Sequence, residues 1–403
     1  MLSKTNVEEL AIFGANSLFS TPKSTSNLVR PDFETFLSYS KLFYDQHRYI
    51  NDHAPVELLE QRLADFHQVD FCVTFCSGFW GLALAMTALA LKGKTEIVIP
   101  SLTYRRMADI AAWAKLKPHF CEVEENSLAA NAETVGRCIN QNTALIVGVH
   151  PVVNCCDIDG LVQLAQVRAI PLLFDSVESP FESTLHGKVG SFGNAECFSL
   201  HASKLLNGFE GGYLTTNDAI LARQLASART FGVDEEDRVT VSYGLNAKMN
   251  EIHAAMALAS LDDLESQISR NRQRYFTYQK LLASVPGIRL VEFLETPPTS
   301  YKNIVIEFLA EWPLTRADTL KILNAEKIFA RAYYSPPLHR KQMTYAHLPA
   351  SLPLSDLLSE KFALLPCGHL VTCEDIHQIV EFLSFLYISA DLIKNRLDGN
   401  NEM

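Results

Sequence analysis

Apolar residues arrive along this chain in two rhythms that trade places in a regular order. Short apolar runs, as strands buried on both faces require, alternate with stretches where apolar positions return at helical spacing. The segment PVELLEQRLADF at residues 55 to 66 opens the series as an amphipathic helix. The pattern then predicts strand Asp70–Phe75, helix Gly81–Leu91, strand Glu96–Ile99, helix Tyr104–Ala114 and strand His119–Val123. Helix Ala132–Ile139, strand Ala144–Val149, helix Gly160–Val167 and strand Pro171–Asp175 continue it. Strands alternating with helices imply an α/β fold in three layers, a mostly parallel sheet covered on both faces.

Further on, a strand-like run enters the loop Glu196 to Lys204, and a Gly211-Gly212 turn feeds strand Tyr213–Thr216. Helix Asp218–Arg229 follows, with Asn217 placed to cap it. After a charged loop at 234 to 240, the stretch Tyr243 to Ala255 runs into a long helix ending near residue 284, with a break near Asp262. Past Pro286 the texture changes to strand Arg289–Phe293, strand Asn303–Phe308, helix Leu314–Asn324, the extended run Ile328–Tyr334 and a closing helix Glu374–Leu386. These divide the chain into an irregular arm at 1–30, a large domain at 31–285 and a smaller C-terminal α+β domain at 286–403, whose tail from Lys394 is expected to fray.

Composition narrows the classes. At 403 residues the chain can bury a large core. A formal charge of −11 without a basic stripe argues against a general nucleic-acid binder. The N-terminus lacks a basic segment followed by an apolar core, and no apolar run approaches a membrane span, so a cytoplasmic protein with no membrane partner is expected. Nine cysteines, scattered singly apart from Cys155-Cys156 and without a CxxC pair, suggest reduced thiols and no metal site.

Candidate chemistry gathers where a parallel sheet binds ligands, outside the carboxyl ends of its strands. Cys76-Ser77-Gly78-Phe79 joins a strand to a helix, so its free N–H groups could seat a phosphate, with Gly78 admitting the anion closely. Tyr104 could lay its ring on a flat cofactor, or simply pack at a helix start. Asp175, after PLLF, could pair with a protonated pyridine nitrogen, or cap an ordinary loop. Lys204 lies among small, aromatic and glycine residues in FSLHASKLLNGFEGGYLTT; a partly desolvated lysine there could form a Schiff base, whereas most lysines are simply solvated.

Together, FSLHASK with FEGGYLTTND, GLNAKMNEIHAA, ARAYYSPPLH and LLPCG resemble the DegT/DnrJ/EryC1/StrS sugar aminotransferases, from about residue 30 to about 390. The resemblance implies an aspartate aminotransferase-like, fold type I architecture with pyridoxal 5'-phosphate in the large domain. It implies Lys204 as the catalytic Schiff-base lysine, Asp175 on the pyridine nitrogen and Tyr104 stacked on the ring. Ser77, Gly78, Phe79 and Ser199 would seat the phosphate, with Asn246 reaching it from the other subunit of a homodimer that shares its active sites. Phe79 departs from the family's usual Ser-Gly-Thr, and Trp80 follows it. Glu178 resembles the members acting at carbon 4 of a sugar. His201, Arg229, Lys248 and Arg331 are candidates for substrate contact. The implied reaction carries an amino group from L-glutamate to a nucleotide-linked 4-keto-6-deoxy sugar; a keto-cyclitol or 3-keto sugar acceptor, or a non-catalytic dimeric scaffold, are the alternatives.

Overall fold

The computed structural model describes residues 4–50, 53–234, 236–294 and 299–401, so the first three residues of the arm, Glu235 of the charged loop and the last two residues of the tail lie outside it. Fifteen strands are present among the described residues. They are β1 (Lys23–Ser24), β2 (Phe71–Phe75), β3 (Glu96–Pro100), β4 (Lys117–Cys121), β5 (Thr143–Val149), β6 (Leu172–Asp175), β7 (Ser183–Thr184) and β8 (Gly187–Lys188). After these come β9 (Ala195–Ser199), β10 (Gly212–Thr216), β11 (Ile288–Leu290), β12 (Ile304–Phe308), β13 (Ile328–Phe329), β14 (Arg331–Ala332) and β15 (Phe362–Leu365).

Seven of them form the main sheet in the order β2-β10-β9-β6-β5-β3-β4, with only β10 antiparallel to its neighbours. Successive side chains of a strand face opposite ways, which divides the core in two. Ile97 and Ile99 pack with helices Gly78–Leu89, Met107–Trp113 and Ala219–Arg229. Val98, between them, packs with helices Ala54–His67, Ile158–Arg168 and Glu251–Asp262. All three β3 residues are fully buried, each worth roughly 1.5–3 kcal/mol. This is the three-layer α/β architecture that the alternation predicts.

A second, antiparallel sheet runs β11-β12-β15-β14. Its core takes in Ile322 and Leu323 from helix Arg316–Ala325, Ile379 and Leu383 from helix Cys373–Ile388, and Tyr275 and Tyr278 from helix Leu264–Leu282. Val7, Leu10 and Phe19 of the arm join the same cluster, and β1 pairs parallel with β13.

Several boundaries differ from the sequence-based expectation, each for a local reason. Helix Gly78–Leu89 starts earlier than Gly81 because Ser77 supplies the cap. The helix expected from Tyr104 begins at Met107. Asp218, not Asn217, caps helix Ala219–Arg229, accepting from the N–H groups of Ile220 and Leu221; Asn217 Oδ1 instead accepts from the N–H of Asp70. The tail does not fray at Lys394: residues 390–401 form a helix whose Ile393 is buried, with the Arg396 guanidinium 4.7 Å above the Phe13 ring. Helix Phe33–Tyr44 and strand β15 were not anticipated. Among the described residues no single helix is long and apolar enough to cross a membrane, and no group of three His, Cys, Asp or Glu side chains could hold a metal ion.

Candidate active site

Strands β2, β6 and β9 end along one edge of the main sheet, and antiparallel β10 begins there, Gly212 pairing with both Phe75 and Ser199. At the end of β2, Ser77 is extended and its Oγ accepts from the Trp80 N–H at 3.5 Å, opening a 12-residue helix at Gly78. A Cβ on Gly78 would lie 3.2 Å from the Phe198 carbonyl oxygen, and one on Gly212 would lie 2.4 Å from the Gly78 nitrogen. Glycine is therefore required at 212 because backbones approach, and a Cβ at 78 would press on the backbone of Phe198 and the side chain of Ser199. Ser199 Oγ accepts from the His201 N–H at 3.3 Å. Phe79 sits edge-on to Trp80 at 5.1 Å, and Trp80 to Trp113 at 5.0 Å, so aromatic packing stands where the sequence departs from Ser-Gly-Thr.

The Cys76 N–H donates to the Ala247 carbonyl at 2.7 Å, drawing the GLNAKM segment against this turn. Asn246 pairs through its backbone with Thr230 and stays exposed.

Asp175 ends β6 and is 2 % exposed, its Oδ1 accepting from the Val177 N–H at 3.2 Å. Burial pushes its carboxyl up to about 6, against the opposing pull of that N–H and of Lys204. A buried carboxylate so raised is a seat for a cation. Behind it the fully buried Glu196 accepts from the N–H groups of Gly190 and Phe192 at 2.8 and 2.7 Å, which holds the turn before β9.

Lys204 closes a turn, its N–H donating to the His201 carbonyl at 2.8 Å. Its ammonium donates to Glu178 Oε1, and Asn303 Nδ2 lies 3.4 Å from Glu178 Oε2. Burial raises the Glu178 carboxyl, but Lys204 and Lys302 outweigh it and hold the group below the usual carboxylate range. The two residues share a cleft with Lys302, Asn303, Arg331, Thr25 and Asn27. Lys302 is buried, 3.7 Å from Glu182. Asn27 donates from its backbone to the Ser203 carbonyl and from its side chain to the Lys302 carbonyl, both at 3.1 Å.

The remaining candidates separate. Arg331 lines the cleft. Arg229 does not face a substrate: it is 4 % exposed, paired with Glu60, and donates to the Thr74 carbonyl at 2.8 Å, so it ties β2 to its helix. The His201 ring, expected to point into the site, turns to Ser203 Oγ at 2.8 Å and Glu210 at 3.6 Å and is half-exposed. Lys248 Nζ lies 5.0 Å over the Phe231 ring. Tyr104 is 42 % exposed in the loop after β3, where Thr103 Oγ1 is buried without a partner among the described residues. The sequence reading missed Lys302, Asn303, Thr25 and Asn27, which sit in the polar stretches TSYKN before β12 and STSN of the arm and carry no local signal.

An amine in a cleft, a buried carboxylate suited to a cationic ring nitrogen and a helix N-terminus for a phosphate form the donor set that pyridoxal phosphate requires. The residues present fit that group.

Comparison with known proteins agrees. A family model described as the DegT/DnrJ/EryC1/StrS aminotransferase family matches residues 37–384. The dTDP-4-amino-4,6-dideoxy-D-glucose transaminase of Shigella dysenteriae is 26% identical over 308 residues, 76% of this chain and 83% of that protein. The L-glutamine:2-deoxy-scyllo-inosose aminotransferase of Micromonospora echinospora is 32% identical over 220 residues, 52% of each. A crystal structure of DesI in the presence of its TDP-sugar product superimposes with a TM-score of 0.90 at 28% identity, covering 98% of this chain and 100% of that one.

Proposed function

The chain belongs to the DegT/DnrJ/EryC1/StrS aminotransferase family, whose enzymes depend on pyridoxal phosphate, and from that membership we propose that it moves an amino group from L-glutamate to a nucleotide-linked 4-keto-6-deoxy sugar. What supports the choice of carbon 4 is the likeness, over 76% of the chain, to a transaminase named for a 4-amino-4,6-dideoxy sugar. The relatives with nucleotide-sugar names match over most of the chain, whereas the cyclitol enzyme matches over about half.

When bound, pyridoxal phosphate supplies an aldehyde for amines and a ring that draws electrons from the carbon losing its proton. The chain does the rest. Lys204 Nζ would hold the cofactor and move the proton, and the Glu178 carboxylate would balance the positive charge of protonated Nζ. Asp175, buried with the Val177 N–H on one oxygen, would hold the ring nitrogen in its cationic form. Ser77, Ser199 and the N-terminus of helix Gly78–Leu89 anchor the phosphate, and Tyr104 covers the ring. Arg331, with Lys248 close by Phe231, faces the anionic substrates.

Asn246, exposed beside the Ser77 turn, completes the phosphate seat of a second copy in a homodimer. Exposed Phe33, Tyr44, Tyr49 and Phe209 support such an association. All nine cysteines are unpaired, which suits the reducing cytoplasm. The test supplies L-glutamate with a nucleotide 4-keto-6-deoxyhexose and reads the product by mass and NMR. An amine at carbon 4 supports the reading; turnover confined to a 3-keto sugar or a keto-cyclitol overturns it.

A further inference from the structure

The loop that carries Tyr104 is gripped from outside the main sheet. After β14 the chain returns to the carboxyl end of β3 in a short turn, Leu338–Arg340. There the Leu338 N–H donates to the Ser101 carbonyl at 2.8 Å, and the His339 N–H to Ser101 Oγ at 3.2 Å. Ser101 Oγ also lies 2.7 Å from His339 Nδ1. That oxygen thus accepts from the backbone N–H and shares a second hydrogen bond with the imidazole, so His339 is joined to Ser101 through both its backbone and its ring. Nε2 lies 3.1 Å from Asp356 Oδ1. Ser101 is fully buried and the His339 side chain is 2 % exposed, so water does not compete for this contact. At the residue directly after Tyr104, Lys341 Nζ donates to the Arg105 carbonyl at 2.6 Å, and it lies 3.3 Å from Asp109. Tyr104 is thus held between two contacts made by one returning segment, one on each side of it.

We propose that His339 is a positioning residue for the reaction: through Ser101 it fixes the turn that presents Tyr104 to the cofactor, and so ties the C-terminal layer to the site. This rests on the reading of Tyr104 as the residue that covers the ring. Nothing in the reaction requires His339 to touch substrate, and its burial keeps it from doing so. Its effect passes through the aim of one aromatic ring.

The experiment measures pyridoxal phosphate affinity and the visible circular dichroism of bound cofactor in wild type, His339→Phe, His339→Asn and Tyr104→Ala. Phenylalanine keeps the ring's bulk and loses the hydrogen bond; asparagine places an amide that can donate or accept near the position of Nδ1. An aromatic contact is worth about 0.5–1.5 kcal/mol, so His339→Phe is expected to weaken binding about twofold to twelvefold and to reduce the dichroism per bound cofactor. His339→Asn is expected to restore both, a rescue that a merely space-filling role would not give. Should His339→Phe fail to fold, Lys341→Met, on the half-exposed side of the grip, is expected to shift the same readouts in the same direction. Wild-type affinity and dichroism in both His339→Phe and Lys341→Met overturn the proposal, as does a defect that asparagine leaves unrepaired. If Tyr104→Ala alone leaves both readouts unchanged, the premise about Tyr104 is what failed and the proposal falls with it.

Discussion

Asp175→Asn separates the cost of a buried charge from its use. Burial raises the Asp175 carboxyl from 3.8 to about 6, a shift that corresponds to roughly 3 kcal/mol at about 1.36 kcal/mol per unit. A group raised on folding keeps its proton longer in the folded chain, so the stability it contributes is fully present below about pH 4, declines as pH rises through about 6, and is flat above. Asparagine carries no charge and keeps an oxygen for the Val177 N–H. Cofactor-free Asp175→Asn is therefore expected to match or exceed the wild type at about pH 7.5, by up to roughly 3 kcal/mol, and to lose the advantage near pH 4. With pyridoxal phosphate the order changes. Only the carboxylate holds the ring nitrogen in its cationic form, and a preorganised charge of this kind is worth roughly 10²–10³ in rate. Urea unfolding at the two pH values and stopped-flow reaction with L-glutamate measure the two halves. A cofactor-free variant less stable than wild type at about pH 7.5, or one reacting with L-glutamate at the wild-type rate, would refute the reasoning.

Glu178→Gln removes the charge facing Lys204; since the native carboxyl is held below its ordinary range, the loss, on the order of 1–3 kcal/mol, should be present at neutral pH and fade as acid protonates the wild-type group, which pH-resolved urea titrations will show. Gly212→Ala is expected to destabilise far more than Gly78→Ala, because its Cβ would lie 2.4 Å from backbone against 3.2 Å, and denaturation midpoints of the two variants give the order. Arg229→Gln strands Glu60 in a largely buried pair and should cost about 3–5 kcal/mol; KM for the sugar substrate, measured on the folded enzyme, should stay at the wild-type value.

Much of the site is legible in the sequence because local pattern decides it. The alternation of apolar runs places Ser77, Asp175 and Ser199 at strand ends, and a parallel sheet then collects such ends along one edge. What the pattern does not encode is contact between distant segments. Asn27 reaches Lys302 across 275 positions and Arg229 reaches Glu60 across 169, and neither partner sits in a motif. Polar residues of the arm read as irregular chain, although Thr25 and Asn27 are buried against the lysine loop. The choice between Asn217 and Asp218 as cap turns on which one the strand pairing leaves free, and Asn217 is taken by Asp70. Strand β15 was missed because its four apolar residues carry no period of their own; two neighbouring strands define it.

The most direct test of Lys204's role is the visible spectrum of purified wild type and Lys204→Ala with pyridoxal phosphate, followed as L-glutamate is added and 2-oxoglutarate is assayed. The account predicts that the wild type takes up the cofactor, shows the absorption of a lysine-bound aldehyde, and loses it while releasing one 2-oxoglutarate per cofactor. Lys204→Ala should show no lysine-bound band and no catalytic release. A wild type that never takes up the cofactor, or a Lys204→Ala protein that turns over like it, would contradict the account.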